Sequence, residues 1–403
     1  MTGKALADLR VVELAEFISG PYCTKLLADL GAEVIKVEKP GVGDISRRLG
    51  PFPNDIPHSE KSGLFLYLNT NKLGITLDID TATGKEILKE LLKDADVFVE
   101  SNPRKTMEEL ELDYETLRKI NPQFVMTSIT PFGQTGPYRD YKCHDINISS
   151  ASGLSAPQGF PDREPLTMPA HQCSYYAGTT AAAATMVAVY ARNIGHQGQH
   201  VDISQVRCWA TTDSINVSRF VTDQAVRPRT GRQMPGVFPY TVMPIKDGMA
   251  LMVIVTESDW QAILNMMGKP EWAEDPRFQT QYSRYEHREE VMSLMKPWLM
   301  SHTRAEIFKL SLEAGAFRAC VPLQTVDEMV NSVHLKEREF FVEIDHPEAG
   351  KLKCSGAPYR FTETPWAIRC RAPVLGEHNE EIYCHRLGYT KQDLARLRVT
   401  GAI

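Results

Sequence analysis

The chain has 403 residues, with 45 Lys and Arg against 51 Asp and Glu, so its formal charge is −6 at pH 7. Its 42% hydrophobic and 24% charged residues are typical of a globular protein and exclude a disordered one. The mildly acidic, scattered charges predict no nucleic-acid or membrane partner, and no apolar run approaches the roughly 18 residues that cross a bilayer. Without a signal-peptide pattern or a CxxC motif, we expect reduced thiols, no bound metal and a cytoplasmic location.

Strand and helix patterns alternate along the first 130 residues. Short runs rich in Val and Ile predict strands, and apolar residues at helical spacing predict helices between them. The predicted strands are Leu9–Leu14, Ala32–Glu38, Gly74–Ile79, Asp96–Glu100 and Phe124–Ile129, and the predicted helices are Tyr22–Leu30, Thr83–Lys93 and Met107–Ile120. Because parallel strands need a crossover connection, the alternation predicts an α/β domain with a mostly parallel sheet.

The patterns change after residue 170. An Ala-rich segment, 171–192, has no charge before Arg192, which predicts a helix that is buried on all sides. The Asp247-Gly248 pair between two apolar runs predicts a β-hairpin. Further helices are predicted near 258–267, 287–301 and 304–314, a linker over Gln224–Pro235 and a final helix near 379–387.

The motifs of several common enzyme classes are missing from the sequence. The first strand is not followed by GxGxxG, and the chain contains no P-loop, HExxH or GxSxG. Dinucleotide, nucleoside triphosphate, zinc-protease and α/β-hydrolase chemistry therefore lack their usual residues. From periodicity and motifs alone, the sequence predicts only a large α/β protein.

Six segments, in this order, carry a family resemblance. They read LRVVELAEFISGPYCTKLLADLGAEVIKVEKPGVGD, NTNKLGITLDI, KDADVFVES, INPQFVMTSITPFGQTGPY, RNIGHQGQHVDIS and VLGEHNEEIYCHRLGYTKQDLARLRVTGAI. Together they resemble the class III CoA-transferases, the family of formyl-CoA and carnitine CoA-transferases and of 2-methylacyl-CoA racemase. The resemblance implies a Rossmann-like large domain from residues 1–224 and 331–403, a small α+β domain inserted at 225–330, and two chains threaded as interlocked rings.

The family's nucleophile has no counterpart here. In the family, an Asp near the start of the Ala-rich helix attacks the acyl-CoA thioester, and the released thiolate then forms an aspartyl-CoA thioester that the acceptor acid resolves. Counting back without gaps from Gly178, that position is Ser174. A serine hydroxyl, even if His171 activated it, cannot form a thioester with CoA. We therefore expect Ser174 to be a structural residue near the helix start, where serine is favoured.

The positions that bind CoA in the family also differ. An arginine that contacts the CoA phosphate corresponds to Glu109, whose carboxylate would repel a phosphate, although Arg104 or Lys105 could compensate. CoA is expected as the thioester substrate, with no covalently bound cofactor. The family's CoA-binding positions correspond to Phe17, Ile18, Lys39, Leu77, Ser101, Asn102, Arg104 and Glu109.

The family's fold is retained, but its nucleophile and its phosphate-binding arginine are both replaced. This combination predicts that the chain works with a partner subunit. The leading interpretation is the subunit without a nucleophile in a heteromeric family member, whose homologous subunit carries the Asp. This is similar to succinyl-CoA:benzylsuccinate CoA-transferase, in which one of two homologous subunits lacks that residue. The expected substrates are an acyl-CoA such as succinyl-CoA and a carboxylic acid such as benzylsuccinate or a related aromatic acid.

Two alternatives stay open. A self-sufficient enzyme would use a displaced carboxylate, Glu16 or Asp145, for CoA transfer, or would racemise an acyl-CoA with His144, whose segment matches a proton-transfer segment of the racemases. A protein that retains only the fold would be a non-enzymatic scaffold. Asp145, Asp202 and His378 lie in family-typical segments, where we expect them to hold turns or domain contacts.

Overall fold

The structure, a computed structural model, describes residues 3–231 and 236–403. The last four residues of the predicted linker, 232–235, lie outside the described residues. The chain forms two compact units. The first comprises the residues up to Leu154, Thr167–Ser218 and His334–Ile403, and the second comprises Ser155–Leu166 and Arg219–Val333.

The second unit therefore includes residues 155–166, which the sequence analysis placed in the large domain. Hydrogen bonds explain this assignment. The amide of Gly231 donates to the carbonyl of Gly159 at 3.0 Å, and Arg229 Nε donates to the carbonyl of Phe160 at 3.2 Å. Residues 155–166 are thus hydrogen-bonded to the segment around Arg229 and Gly231, although the two segments are far apart in the sequence.

A six-stranded sheet forms the centre of the first unit, and a parallel register joins every neighbouring pair in the order β3-β2-β1-β4-β5-β6. β4 and β5 are buried along their whole length, as expected for a parallel sheet covered on both faces. This confirms the predicted α/β fold. The strands of the chain are β1 (Arg10–Leu14), β2 (Glu33–Glu38), β3 (Lys72–Thr76), β4 (Val97–Glu100), β5 (Val125–Thr130), β6 (His200–Ser204), β7 (Tyr240–Ile245), β8 (Gly248–Val253), β9 (Cys320–Pro322), β10 (Phe341–His346) and β11 (Gly350–Ser355).

Helices cover both faces of this sheet. The helices of the two units together are α1 (Ser19–Asp29), α2 (Gly63–Leu68), α3 (Ala82–Leu92), α4 (Arg104–Glu109), α5 (Tyr114–Leu117), α6 (Asp145–Ala151), α7 (Gln172–Asn193), α8 (Gln205–Ala210), α9 (Ser214–Asp223), α10 (Glu257–Met266), α11 (Gln281–Glu286), α12 (Arg288–Ser301), α13 (Arg304–Glu313), α14 (Val326–Val330), α15 (Val333–Glu337) and α16 (Lys391–Val399). Residues of α1 and α7 share one core cluster with the sheet, whereas α3 and α16 share the other. The C-terminal helix therefore belongs to the same unit as the first strand.

Two helix predictions were only partly correct. The predicted helix Met107–Ile120 is interrupted, because Glu111 adopts a left-handed conformation (φ 56°) after α4 and Asp113 Oδ1 accepts the amide of Thr116 to begin α5. The predicted final helix near 379–387 is a π-helical turn over Glu381–Arg386, and α16 follows it. The sequence of α16 does not predict a helix, because most of its residues are polar and only Leu394 and Leu397 are buried apolar residues.

The Ala-rich helix α7 is buried on one side only, contrary to the prediction. Ala177 and Ala181 are fully buried, and Gly178 allows close approach because a Cβ there would lie 2.6 Å from the carbonyl oxygen of Ser19 in α1. On the opposite side, Val187 and Tyr190 are 69% and 66% exposed. Uncharged residues therefore occupy two different faces of α7. One face packs inside the first unit, and the other is exposed to solvent in this chain.

The second unit contains a three-stranded antiparallel sheet in the order β7-β8-β9. The antiparallel register of β7 with β8 confirms the predicted hairpin. Its apolar core includes Trp260, Phe278 and Met295, each at most 1% exposed. Of the helices in residues 3–231 and 236–403, none is long and apolar enough to cross a membrane.

Candidate active site

The strand order changes direction between β1 and β4, so the loops after these two strands leave side by side. In parallel α/β sheets such a point forms the crevice where ligands bind. Two hydrogen bonds join the loops here. The amide of Glu16 donates to Ser101 Oγ at 3.2 Å, and Asn102 Nδ2 donates to the carbonyl of Leu14 at 3.1 Å.

A cavity of about 940 Å³ opens beside this crevice, and its walls are mainly apolar. Of the described residues that line it, none is acidic and none is Lys or Arg. The polar groups are two imidazoles, two tyrosine hydroxyls and one amide. The lining residues are Phe17, Ile45, Leu49, Gly50, Pro51, Gly63, Leu64, Tyr67, His144, Ala170, His171, Gln172 and Tyr175.

Aromatic contacts shape one wall of the cavity. The rings of Phe17 and His171 meet edge to face with their centroids 5.0 Å apart, and Tyr175 meets Tyr22 in the same way at 5.0 Å. Burial raises the pKa of Tyr175 to about 12, so its hydroxyl stays protonated at neutral pH. The wall therefore offers the protonated hydroxyl of Tyr175 to a ligand.

Ser174 lies in the first turn of α7, behind this wall, and is only 3% exposed. Its amide donates to Asp145 Oδ1 at 2.9 Å, and its hydroxyl donates to the same oxygen at 2.7 Å. The Asp145 carboxylate thus satisfies an amide that the helix leaves without an internal partner. Ser174 acts as a structural hydrogen-bond donor in this arrangement, and it is not part of the cavity lining.

The other two candidate groups are placed differently. His144 precedes α6 and lines the cavity, and its amide donates to Asn147 Oδ1 at 2.9 Å. Glu16 lies in the loop after β1 and is exposed, and partial desolvation of its carboxyl, together with the nearby Asp44, raises the pKa of that group. Neither Glu16 nor Asp145 lines the cavity.

A network of buried charges lies beneath the loop after β1. Lys36 Nζ is 2.8 Å from both Glu13 Oε1 and Asp44 Oδ2, and Lys72 Nζ is 2.9 Å from Glu13 Oε2, with side chains that are fully buried. Burial alone would raise the pKa of Glu13, but the two ammonium groups lower it below its usual value. Burial lowers the pKa of Lys72 to about 8.

Glu100, at the end of β4, is equally buried but lacks such partners. It is 1% exposed, and in the part of the chain that the structure describes no Lys or Arg forms an ion pair with it. Its Oε2 accepts the amide of Asn102 at 2.7 Å. Burial raises the pKa of Glu100 to about 7, against the opposing hydrogen bonds from Ser128 and Asn102.

Comparison with known proteins identifies the family to which this arrangement belongs. The sequence model of CoA-transferase family III matches residues 6–379. The chain belongs to CoA-transferase family III. This membership supports the family's activity, the transfer of CoA between an acyl-CoA and a carboxylic acid.

Relatives of this family III chain align over nearly its whole length. Succinyl-CoA–D-citramalate CoA-transferase of Chloroflexus aurantiacus is 35% identical, over 99% of this chain and 98% of that protein. Formyl-CoA:oxalate CoA-transferase of Rhodopseudomonas palustris is 31% identical, over 99% and 97%. Among solved structures, a CAIB/BAIF family protein from Brucella suis superimposes with a TM-score of 0.84 at 29% identity, over 95% of this chain and 99% of that one.

The CoA-binding positions of the family are only partly brought together in this family III chain. Ser101 and Asn102 bond to the loop after β1, which also carries Phe17, whereas the side chains of Ile18 and Leu77 are buried in the core at 0% and 2% exposure. The ammonium of Lys39 is exposed and bonds to Asp80 at 2.8 Å.

The cations near the phosphate position are already engaged. Glu109 is exposed on α4, with Lys105 Nζ 3.7 Å from its carboxylate. Arg104 bonds to Glu108 at 2.7 Å and to the carbonyl of Gln134 at 2.6 Å. A phosphate at this point would therefore meet a carboxylate and two cations that already have partners.

Asp202 and His378 hold backbone turns or contacts, as expected, whereas most of the residues that line the cavity were not predicted. Asp202 Oδ1 accepts the amide of Gln134 at 3.0 Å, and His378 Nδ1 accepts the amide of Gly74 at 3.0 Å. The missed cavity residues come from the segment 45–67, which combines loops with the short helix α2 and has no continuous strand or helix periodicity. The buried network did leave a signal, since Glu13 and Lys36 are charged residues inside otherwise apolar strand patterns.

Proposed function

We propose that this chain is the subunit without a nucleophile in a heteromeric family III CoA-transferase, paired with a homologous subunit that supplies the catalytic carboxylate. The observation that carries the proposal is the state of Ser174. It occupies the position of the family's Asp, is 3% exposed, and uses both its amide and its hydroxyl on Asp145.

The chemistry of CoA transfer supports this assignment. A carboxylate that attacks a thioester forms a mixed anhydride, which the released thiolate can attack in turn to form an enzyme-bound thioester. A hydroxyl would form an ordinary ester with the acyl group, and it offers no carbonyl carbon to which CoA could be attached. Ser174 therefore cannot carry the CoA intermediate.

The neighbouring carboxylates do not compensate for the missing nucleophile. Asp145 Oδ1 accepts two hydrogen bonds from Ser174, which stabilise its charge and weaken it as a nucleophile. Glu16 lies in the crevice loop but does not line the cavity. A carboxylate from a second chain is the simplest source of the missing group.

The uncovered apolar surface supports a partner chain. α9 has no buried residue, and its Ile215 and Val221 are 77% and 68% exposed. The outer face of α7 adds Val187 and Tyr190. Exposed apolar surface on this scale is typical of a protein interface. We therefore assign these faces to contact with the homologous subunit.

The cavity supports an aromatic acid as one substrate. Its volume of about 940 Å³ and its apolar walls suit a ring-bearing acid such as benzylsuccinate, and its few polar groups can orient a carboxyl. The relative from Chloroflexus aurantiacus is named for succinyl-CoA, so we propose succinyl-CoA as the donor.

Activity with and without the partner tests the proposal. The chain alone should not exchange CoA between succinyl-CoA and benzylsuccinate, whereas co-expression with a homologue that has Asp at the equivalent position should yield a complex with activity. Exchange by the isolated wild-type chain would contradict the proposal. Ser174→Asp, with Ser174→Asn as its matched control, then shows whether the nucleophile is the only group that the chain lacks.

His144 favours one second candidate, an acyl-CoA racemase, because its side chain lines the cavity. A racemase needs a second proton-transfer group opposite the first, and the family's partner position is again Ser174. Incorporation of deuterium from heavy water at the α-carbon of a 2-methylacyl-CoA would support this candidate. Its loss in His144→Gln, with retention in His196→Gln, would assign the exchange to His144.

A further inference from the structure

Two residues in the cavity wall have a backbone conformation that ordinary side chains rarely adopt. Phe17 has a φ of 70° and His171 a φ of 57°, both in the left-handed region. Such a conformation raises the energy of the chain, and it persists only where the surroundings hold it. The rings of these same two residues meet at 5.0 Å and form one wall of the cavity.

A buried carboxylate holds Phe17 in this conformation. Asp44 is 1% exposed, and its Oδ1 accepts the amide of Phe17 at 3.0 Å. The same oxygen accepts the amide and the hydroxyl of Ser46, both at 2.7 Å. Asp44 Oδ1 thereby connects the loop after β1, through Phe17, with the turn that contains Ser46.

Lys36 fixes that carboxylate from the other side. Its Nζ donates to Asp44 Oδ2 at 2.8 Å and to the carbonyl of Ala15 at 2.9 Å, two residues before Phe17. Burial would raise the pKa of Asp44, but the ammonium and the donors on Ser46 and Phe17 lower it, so the carboxylate stays charged at neutral pH. One ion pair thus anchors both the entry to the loop and its strained residue.

We propose that Asp44 is a positioning residue that keeps the ring of Phe17 against His171 and so sets the shape of the cavity for an aromatic carboxylic acid. This rests on the proposed function only for the class of ligand. If Phe17 relaxed to an ordinary conformation, its side chain would point elsewhere and the edge contact with His171 would be lost. Asp44 itself is buried and does not line the cavity, so its effect is transmitted through Phe17.

The test measures binding of benzylsuccinate to the full chain by calorimetry, without CoA and without transfer, so its outcome is separate from that of the partner experiment. Asp44→Ala should weaken binding about tenfold, the loss expected for a charged hydrogen bond. Asp44→Asn keeps an oxygen that can accept the amide of Phe17 and should bind within about threefold of wild type. Glu86→Ala, which removes an exposed carboxylate on α3, should bind like wild type.

A double mutant separates positioning from general stability. Glycine adopts the left-handed conformation without strain, so Phe17→Gly removes both the ring and the need for Asp44. Adding Asp44→Ala to Phe17→Gly should therefore cause no further loss of affinity, although thermal unfolding should show that Asp44→Ala destabilises both backgrounds. Equal loss of affinity in both backgrounds, unchanged affinity in Asp44→Ala, or no binding of benzylsuccinate to the wild type would overturn the proposal.

Discussion

The first unit uses buried carboxylates in two contrasting ways. Beneath the loop after β1, Glu13 and Asp44 are fully buried and paired with Lys36 or Lys72 at 2.8 to 2.9 Å. At the start of α7, the buried residue is the neutral Ser174. The carboxylate of Asp145 accepts the Ser174 amide and so caps the helix. The chain thus pairs carboxylates with ammonium groups beneath the loop of the crevice, whereas at the start of α7 the Asp145 carboxylate is bonded to Ser174 and lies outside the cavity lining.

Glu100 sharpens this comparison, because it is buried as deeply as Glu13 but forms no ion pair with a Lys or Arg of residues 3–231 and 236–403. The pKa of Glu13 is lowered by two ammonium groups, whereas the pKa of Glu100 is raised by burial to about 7. Burial by itself therefore does not decide the charge of a carboxyl here. The nearest cations decide it.

The largest expected effect comes from breaking the paired network. Lys36→Met removes a buried ammonium that two carboxylates share, and it should lower the free energy of unfolding by about 3–5 kcal/mol. Urea denaturation followed by circular dichroism would measure this loss. Lys39→Met is the matched control, since that half-exposed ammonium should contribute less than about 1 kcal/mol. Similar losses in the two variants would contradict the structural role of the network.

Glu100→Gln should have a smaller, pH-dependent effect. Between about pH 4.5 and 7 the folded chain keeps a proton on Glu100 that the unfolded chain has lost, so the stability of the wild type falls as the pH rises through this range. The difference between pKa values of 4.5 and about 7 corresponds to about 3 kcal/mol.

Glutamine is neutral throughout, so the variant should be more stable than the wild type at pH 8 and similar to it at pH 4. Melting temperatures over this range, measured by calorimetry, would check the prediction. Glu86→Gln, an exposed carboxylate on α3, serves as the control and should leave the pH profile of the wild type unchanged. If the melting temperature of Glu100→Gln depended on pH as strongly as that of the wild type, Glu100 would not be the titrating group.

Ser174→Ala should have the smallest effect. The variant loses one hydroxyl hydrogen bond to Asp145 but keeps the amide that donates to the same oxygen, so stability should fall by only about 1 kcal/mol. If Ser174 is structural, CoA exchange by the complex with the homologous subunit should stay within about twofold of the wild type. A loss of activity of a hundredfold or more would instead make the Ser174 hydroxyl a catalytic group.

The sheet could be predicted from sequence to a greater extent than the cavity. Strands such as β1 and β2 contain adjacent β-branched residues, Val11-Val12 and Val34-Ile35, and the turn at Asp247-Gly248 has a local signature. The cavity is assembled from loops and helix ends near residues 17, 45–67, 144 and 171, which no local periodicity connects. The bond from Ser174 to Asp145 likewise joins positions 29 residues apart.

The family resemblance supplied the functional prediction that periodicity could not. It placed the missing nucleophile at Ser174 and the missing phosphate contact at Glu109, both from the residue types alone. It did not predict that Asp44 and Lys36 hold the strained Phe17, because that arrangement depends on side-chain contacts across three segments. Backbone strain of this kind leaves no signal in a single sequence.

Direct trapping of the covalent intermediate tests the central claim. The complex of this chain with its homologous subunit would be incubated with succinyl-CoA, treated with hydroxylamine or borohydride, digested and analysed by mass spectrometry. We predict that the modified carboxylate lies in the homologous subunit, and that the peptides of this chain containing Glu16, Asp145 and Ser174 are unmodified. An adduct on any of these three residues would contradict the account.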